Sequence, residues 1–441
     1  MESKILKLNH RKPKFKTPLD SVGLFEVRTI SLISILFLLT SLSLKAQSLE
    51  EFQRMAVEQN PGLKTKYKEF EAALQKVPQV KSLPDPTFSF GYFISPVETR
   101  VGPQRARLSL SQMFPWFGTL REQENAAALM AEANYQNFLD ARNRLYYQVS
   151  AAYYPLYELS QWKQYELANI ELLESYKGIA TIKFENGNGS LADVLRVDIM
   201  LQEARTNLSI LDKKEVALLS GMNSLLNRDP MEKVNTVTKL KTPSLGADHS
   251  KDSLYANNPA LKELDTKLKA SEVQERLAHK QALPKLGVGL DYVLVGQRSD
   301  LSAGMAAPAD NGKNVLMPMV SMSLPIFRKK YKAAIREASL MQEKYALQKA
   351  DYSNTLASSY DMSSFKIQQQ TDLIGLYEGQ IATSGQVLNL LFSAYSNAGK
   401  NFEEVLLTQQ QILKYQKMKA TAEMQYHIAL AELNYLTAKE Y

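Results

Sequence analysis

The feature that most constrains this chain is a pair of very long segments with few helix breakers. Between Gly118 and Gly178 there is no glycine and only one proline, Pro155, and a second long run, without proline, extends from about Arg328 to Ser396. Both runs are rich in Ala, Leu, Gln, Glu and Lys, which favour helices. At 1.5 Å per residue, a helix over the first run and on to the following turn would be roughly 100 Å long. Helices of that length do not fit inside a globule, so the runs predict extended coiled-coil hairpins.

The chain also contains the same structural unit twice, each copy reading helix, strand, strand, very long helix, turn, helix. Four pairs of short motifs recur in the same order: Asn60-Pro61-Gly62-Leu63 with Asn258-Pro259-Ala260-Leu261, Leu83-Pro84 with Leu283-Pro284, Phe114-Pro115 with Leu324-Pro325, and Phe184-Glu185-Asn186-Gly187 with Tyr395-Ser396-Asn397-Ala398. The repeats predict these domains: a first repeat at 47–228 with a β-hairpin at 86–114, a linker at 229–257, and a second repeat at 258–441 with a β-hairpin at 285–324.

Each long helix is expected to reverse at a turn and continue into a shorter return helix, at 190–227 and 402–438. The turns are predicted from small and amide side chains at these positions: Asn186, Gly187, Gly189, Asn397 and Gly399. The return helices cover only half of their partners. Helices at about 48–77 and 259–280 are expected to cover the other half.

The N-terminus has the pattern of a secretory signal. A basic stretch precedes an apolar run from Ile30 to Leu44, and a small residue, Ala46, ends the segment. We therefore interpret 1–46 as a signal peptide, the alternative being an N-terminal membrane anchor. This segment carries five of the seven net positive charges, so the rest of the chain lacks the basic face of a nucleic-acid-binding protein.

The predicted strands alternate between large apolar residues and small or polar ones. This pattern is typical of strands in a membrane β-barrel, and equally of half-buried hairpins in a soluble protein. Each strand is about ten residues long, as a tilted membrane strand requires. Four strands per chain are too few to close a barrel, whereas three chains would supply twelve.

The chain has this order of elements twice, after a signal peptide. It resembles the TolC-like outer-membrane efflux proteins over nearly all of residues 48–438. The motifs Leu83-Pro84-Asp85-Pro86 and Gln112-Met113-Phe114-Pro115-Trp116-Phe117-Gly118 are similar to those of the heavy-metal efflux branch of that family. The resemblance implies a mainly α fold with a β part: a trimeric α-helical barrel of long coiled-coil hairpins plus a twelve-stranded outer-membrane β-barrel, with four strands per chain.

The resemblance also implies function and partners. The homotrimer would lie in outer-membrane lipid, extend into the periplasm and serve as the exit duct of a tripartite efflux system. It would conduct metal ions or drugs passively from a periplasmic adaptor and an inner-membrane pump, of the RND type. A type I secretion duct of the same family is an alternative, as is a periplasmic coiled-coil scaffold or adaptor.

The family's gate lies at the periplasmic helix tips, which implies roles for residues near the two turns. Asp193 would hydrogen-bond Tyr395 and pair with Lys400 as a latch, and Glu404 together with Glu403 would form the pore constriction. An acid at the start of a helix also simply stabilises the helix dipole, so capping remains the alternative for Asp193 and Glu404.

Catalytic and cofactor motifs are absent from the sequence. The chain has no cysteine and four histidines, none at metal-ligand spacing from another. The Asn186–Ser190 run is glycine-rich but lacks the preceding strand and the lysine of a phosphate-binding loop. We therefore predict no enzyme activity, no cofactor and no metal site.

Overall fold

The computed structural model describes residues 48–241, 251–298, 300, 305–398 and 402–439. The first-repeat elements are α1 (Leu49–Gln59), α2 (Pro61–Lys81), β1 (Thr87–Val97), β2 (Gln104–Phe114), α3 (Thr119–Glu185) and α4 (Leu191–Leu226). The remaining elements are α5 (Lys251–Asn257), α6 (Pro259–Gln281), β3 (Lys285–Val295), β4 (Val315–Ser323), α7 (Arg328–Ala398) and α8 (Phe402–Leu436). The predicted signal segment at 1–46 lies outside the described residues.

The first helical stretch is broken, whereas the sequence predicted one helix at about 48–77. Helix α1 ends at Asn60, whose side chain then caps α2 by accepting from the backbone N–H of Leu63 at 3.0 Å. Pro61 occupies the first position of α2, where its missing N–H costs nothing. The same helix continues through Pro78 to Lys81, because its packing along α3 outweighs one lost backbone hydrogen bond.

Helices α3 and α7 contain 67 and 71 residues, so each is roughly 100 Å long. Pro155 lies inside α3. None of the described helices is both long enough and apolar enough to cross a membrane.

The helices follow a fixed neighbour order that differs between the two halves of the long helices. On the side of the turns, α4 packs on α3, α3 on α8, and α8 on α7. On the side of the strands, α2 packs on α3, α3 on α6, and α6 on α7. In both halves α7 lies at one edge of the layer, and α4 or α2 lies at the other.

The four strands form one antiparallel sheet in the order β1-β2-β3-β4, so the two hairpins are joined through β2 and β3. The register aligns large apolar residues across one face, as in the row Phe90, Leu108, Tyr292 and Leu316. Three of these side chains are exposed in the single chain, Phe90 by 62%, and Leu108 is half-buried. The opposite face carries small and polar residues and an ion pair between Arg107 and Asp291.

Two of the clusters of buried side chains along the helices matter for the site. The central cluster joins α1, α2, α3, α4 and α8, and its fully buried members include Phe52, Val149, Met222 and Leu226. The tip cluster lies next to the two turns and joins α3, α4, α7 and α8 through ten buried residues: Leu173, Tyr176, Ala180, Val197, Leu201, Ala204, Tyr395, Phe402, Val405 and Leu406.

Candidate functional site at the helix tips

The first turn is held by local backbone chemistry. Asn186 caps α3, with its N–H 3.1 Å from the carbonyl of Ile182. Gly187 has φ +71°, a conformation that glycine adopts without the steric cost of a Cβ. Ser190 then caps α4 by accepting from the N–H of Ala192 at 3.1 Å. These contacts fix the reversal between α3 and α4 and therefore the position of the first turn of α4.

The second turn is described only at its two sides. Asn397 lies in the last turn of α7, and α8 resumes at Phe402. Gly399 and Lys400, both predicted from the sequence to be functional, lie outside the described residues.

Tyr395 is the centre of the tip cluster. Its side chain is 1% exposed, and its ring stacks on Phe402 with centroids 4.5 Å apart. Burial, followed by the nearby negative charge of Asp193, raises the pKa of the Tyr395 hydroxyl. That hydroxyl has no hydrogen-bond partner among the described residues.

Lys183, in the last turn of α3, links the first hairpin to the end of α7. Its Nζ donates to the carbonyl of Tyr395 at 2.7 Å and lies 3.4 Å from that of Ser396. The same ammonium lies 4.3 Å from the centroid of the Tyr395 ring. A cation at the C-terminal carbonyls of a helix is favourable, because those carbonyls have no partner within the helix.

A second link runs between the first turns of α4 and α8. Arg196 forms an ion pair with Glu403 at 3.0 Å and approaches Asp193 at 3.8 Å. Glu404 is exposed beside Glu403. The tip therefore presents three carboxylates at two neighbouring helix N-termini, of which Arg196 engages two.

The structure brings the predicted residues Asp193, Tyr395, Glu403 and Glu404 into one region, but it does not form the predicted hydrogen bond between Asp193 and Tyr395. The reason is that Tyr395 is held by its ring, between Phe402 and Lys183, while Asp193 faces Arg196. The pairing of Asp193 with Lys400 stays a prediction.

Sequence reasoning did not identify Lys183 and Arg196 as site residues. A lysine in the last turn of a helix is a common feature, and an arginine three residues after an acid reads as a local ion pair. Their partners in α7 and α8 lie about 200 residues further along the chain. Only the packing of the two hairpins against each other reveals these contacts.

Comparison with known proteins identifies the fold and the family. Residues 252–439 match the family model described as outer membrane efflux protein. This part of the chain belongs to the outer membrane efflux protein family. The predicted resemblance to TolC-like proteins is thereby confirmed, as is the location in the outer membrane. No curated protein matches the sequence.

Solved structures of outer membrane proteins match almost the whole described chain. The outer membrane protein VceC of Vibrio cholerae is 13% identical, with a TM-score of 0.69 over 88% of this chain and 95% of its own. The CmeC outer membrane channel of Campylobacter jejuni is 16% identical, with a TM-score of 0.67 over 88% of this chain and 85% of its own. The open state of the MtrE outer membrane channel of Neisseria gonorrhoeae is 15% identical, with a TM-score of 0.69 over 88% of each chain. The predicted fold class is confirmed, and it is that of channels rather than enzymes.

Proposed function

We propose that this efflux protein is one third of a homotrimeric exit duct, which carries solutes passively from the periplasm through the outer membrane. The observation that supports the proposal is that the layer of helices and the sheet each end in two edges, and no described element of the chain packs against those edges. Helices α4 and α7 are the edges near the turns, α2 and α7 are the edges near the strands, and β1 and β4 are the edges of the sheet.

The two edges of each layer are formed by different elements. A symmetric contact between two copies would therefore not pair one kind of edge with the other. A head-to-tail contact between different edges closes into a ring when the rotation per copy allows it. Strand edges left unpaired in lipid are costly, which favours closure of the sheet. Three chains would supply the twelve strands expected from the sequence.

The helical edges carry the apolar side chains that such a contact would bury. On α4, Leu191, Leu195 and Ile199 form a row at intervals of four residues and are each at least 51% exposed. On α7, Leu390, which lies in the half near the turns, is more than 70% exposed. Burying apolar surface contributes about 25 cal/mol per Å², so a contact of α4 with α7 of the next copy supports the trimer.

The gate of the duct is proposed at the helix tips. Lys183 and the Arg196–Glu403 ion pair hold the second hairpin against the first. Asp193 and Lys400 complete the latch, and Tyr395 contributes through its buried ring. The exposed Glu404, with Glu403, would give three copies of a carboxylate pair at the constriction, a known way to favour cations.

Partners and energy source follow from the family. A periplasmic adaptor would dock at the tips, and an inner-membrane pump, of the RND type, would drive transport, so the chain itself catalyses no reaction. Metal ions or drugs are the proposed cargo. A type I secretion duct and a periplasmic scaffold are the alternatives that the experiments below distinguish.

Site-directed cross-linking tests the ring directly, because the sequence has no cysteine to remove. Ile199 and Leu390 each lie eight residues from the turn end of their helix, on opposite edges of the chain. The Ile199→Cys, Leu390→Cys double variant, treated with a short bis-maleimide, should yield covalent trimers on a denaturing gel. Each single variant is the matched control and should not pass beyond a dimer.

Bilayer recordings of the detergent-purified protein test conduction and gating. We expect small, cation-preferring currents that grow in Asp193→Asn. A soluble, non-conducting periplasmic protein that forms no covalent trimers would instead identify a scaffold.

A further inference from the structure

A groove with a polar floor lies just above the tip cluster, where α4 and α8 separate over α3. Its volume is about 490 Å³, within the range of sites for drug-sized ligands. Its walls are mainly apolar, formed in part by Trp162 of α3, Met200 of α4 and Leu413 of α8.

The floor contains a carboxylate that is only half satisfied. The Glu166 side chain is 1% exposed, and one of its oxygens, Oε1, accepts from the ammonium of Lys417. The other oxygen, Oε2, has no hydrogen-bond partner among the described residues. A buried acceptor without a partner is costly, more so when it is charged, and this one belongs to a residue that lines an open groove.

The chemistry of the groove specifies the ligand that would relieve this cost. Glu166 Oε2 can only accept, so the ligand must donate an N–H or O–H. A donor that carries a positive charge is preferred, because charge-assisted hydrogen bonds are roughly twice as strong as neutral ones. Lys417 already faces Glu166, and the exposed Glu203 and Lys414 at the rim balance each other.

The walls specify the rest of the ligand. An indole and two thioethers, from Trp162, Met200 and Met418, favour a flat aromatic body. We propose that this groove, the Glu166 pocket, binds an amphipathic organic ammonium: an aromatic group that lies against Trp162, with an amine that donates to Glu166 Oε2. Binding is measured on the purified protein without conduction, so the two proposals can fail independently.

The protein offers a built-in reporter, since Trp162 is one of only two tryptophans. In Trp116→Phe, all tryptophan fluorescence comes from Trp162. Dansylcadaverine, an aromatic primary ammonium, serves as the probe and accepts energy from tryptophan. Titration of the purified Trp116→Phe protein should give saturable energy transfer from Trp162.

Three comparisons decide the result. Glu166→Gln and the N-acetylated probe, which has lost its ammonium, should each weaken binding about tenfold. Glu174→Gln is the matched control, because Glu174 is exposed on the same helix and pairs with Arg205 outside the pocket; it should bind normally. Asn207→Phe, which fills the pocket without altering Glu166, should abolish transfer, and its circular dichroism should show that the fold is retained.

Non-saturable transfer, as expected from partition of the probe into detergent, would overturn the proposal. Equal binding by Glu166→Gln and Glu174→Gln, or by the free and acetylated probes, would overturn it as well.

Discussion

The central cluster and the tip cluster both bury aromatic and aliphatic side chains between helices, but they differ in whether the hydroxyl of the buried tyrosine is hydrogen-bonded. In the central region two buried polar side chains are paired: the Tyr153 hydroxyl accepts from the N–H of Val237 at 3.1 Å, and the Asn223 amide donates to the carbonyls of Pro230 and Glu232. Nε2 of His427, which stacks on Tyr154 of this cluster, is the exception and has no partner among the described residues. In the tip cluster the Tyr395 hydroxyl is buried and has no partner among the described residues.

The polar contacts that hold the helices also differ between the two regions. Around the central cluster, the segment 230–241 is hydrogen-bonded to α3 and α4. At the tip, Lys183 and Arg196 make the polar links, and Arg196 is 46% exposed. A region with satisfied buried groups resists separation, whereas one held by half-exposed charges can open at small cost. The comparison indicates that the centre keeps the helices together while the tip can move.

The largest expected effect is at the centre. Phe52→Ala removes a fully buried ring, so the free energy of unfolding should fall by about 3–5 kcal/mol. Denaturant unfolding in detergent measures this, with Phe117→Ala as the control, because that ring is 78% exposed. Single-channel conductance of the folded variant should stay at the wild-type value, and a rise would contradict the division between centre and tip.

Acid should loosen the centre through His427. Burial lowers the pKa of this histidine from 6.5 to about 4, so below pH 6.5 the unfolded chain binds a proton that the folded chain does not. Stability should therefore be complete above pH 6.5 and fall by roughly 3 kcal/mol as the pH drops towards 4. His427→Gln should flatten this slope in unfolding experiments at several pH values. An unchanged slope would assign the acid sensitivity to other groups.

At the tip, Lys183→Met should affect gating more than folding. It removes the charged donor to the last carbonyls of α7, at a cost of about 1–2 kcal/mol, and conductance should rise several-fold. Lys177→Met is the matched control, because Lys177 pairs with Asp198 at 2.6 Å within the first hairpin. If both variants raise conductance equally, the link to α7 is not what holds the tip.

The smallest effect is expected at the Tyr395 hydroxyl. Tyr395→Phe removes a buried hydroxyl that has no partner in the described part of the chain, so stability should be unchanged or rise by up to about 1 kcal/mol, and conductance should not change. Tyr395→Ala, which removes the ring itself, should raise conductance. A conductance increase in Tyr395→Phe would instead support the hydrogen bond to Asp193 predicted from the family resemblance.

The long helices could be predicted because their signal is local: Gly and Pro are scarce between Phe117 and Gly178, and the structure has α3 from Thr119 to Glu185. The break at Asn60 was missed, although its signal was in the sequence, since an Asn before Pro is typical of a cap followed by a new helix. Helix α2 runs beyond Pro78 for a reason that is not local, because its packing on α3 decides where it ends.

For the tip, the sequence identified the region but not the contacts. Local residues encode the two turns, and the family resemblance then pointed to Asp193, Tyr395 and Glu403 beside them. The links from Lys183 and Arg196 join positions about 200 residues apart, and nothing local distinguishes these two side chains from other exposed charges.

The sequence by itself thus determined which segments are helices and strands and where the long helices reverse, because periodicity, caps and turn residues act over a few neighbouring positions. Tertiary structure alone decided which helices lie side by side, that Tyr395 is buried with its hydroxyl unpaired among the described residues, and that Glu166 lines a groove with one oxygen unpaired among the same residues. These properties depend on side chains far apart in the chain, and their energies exist only once the hairpins have packed together.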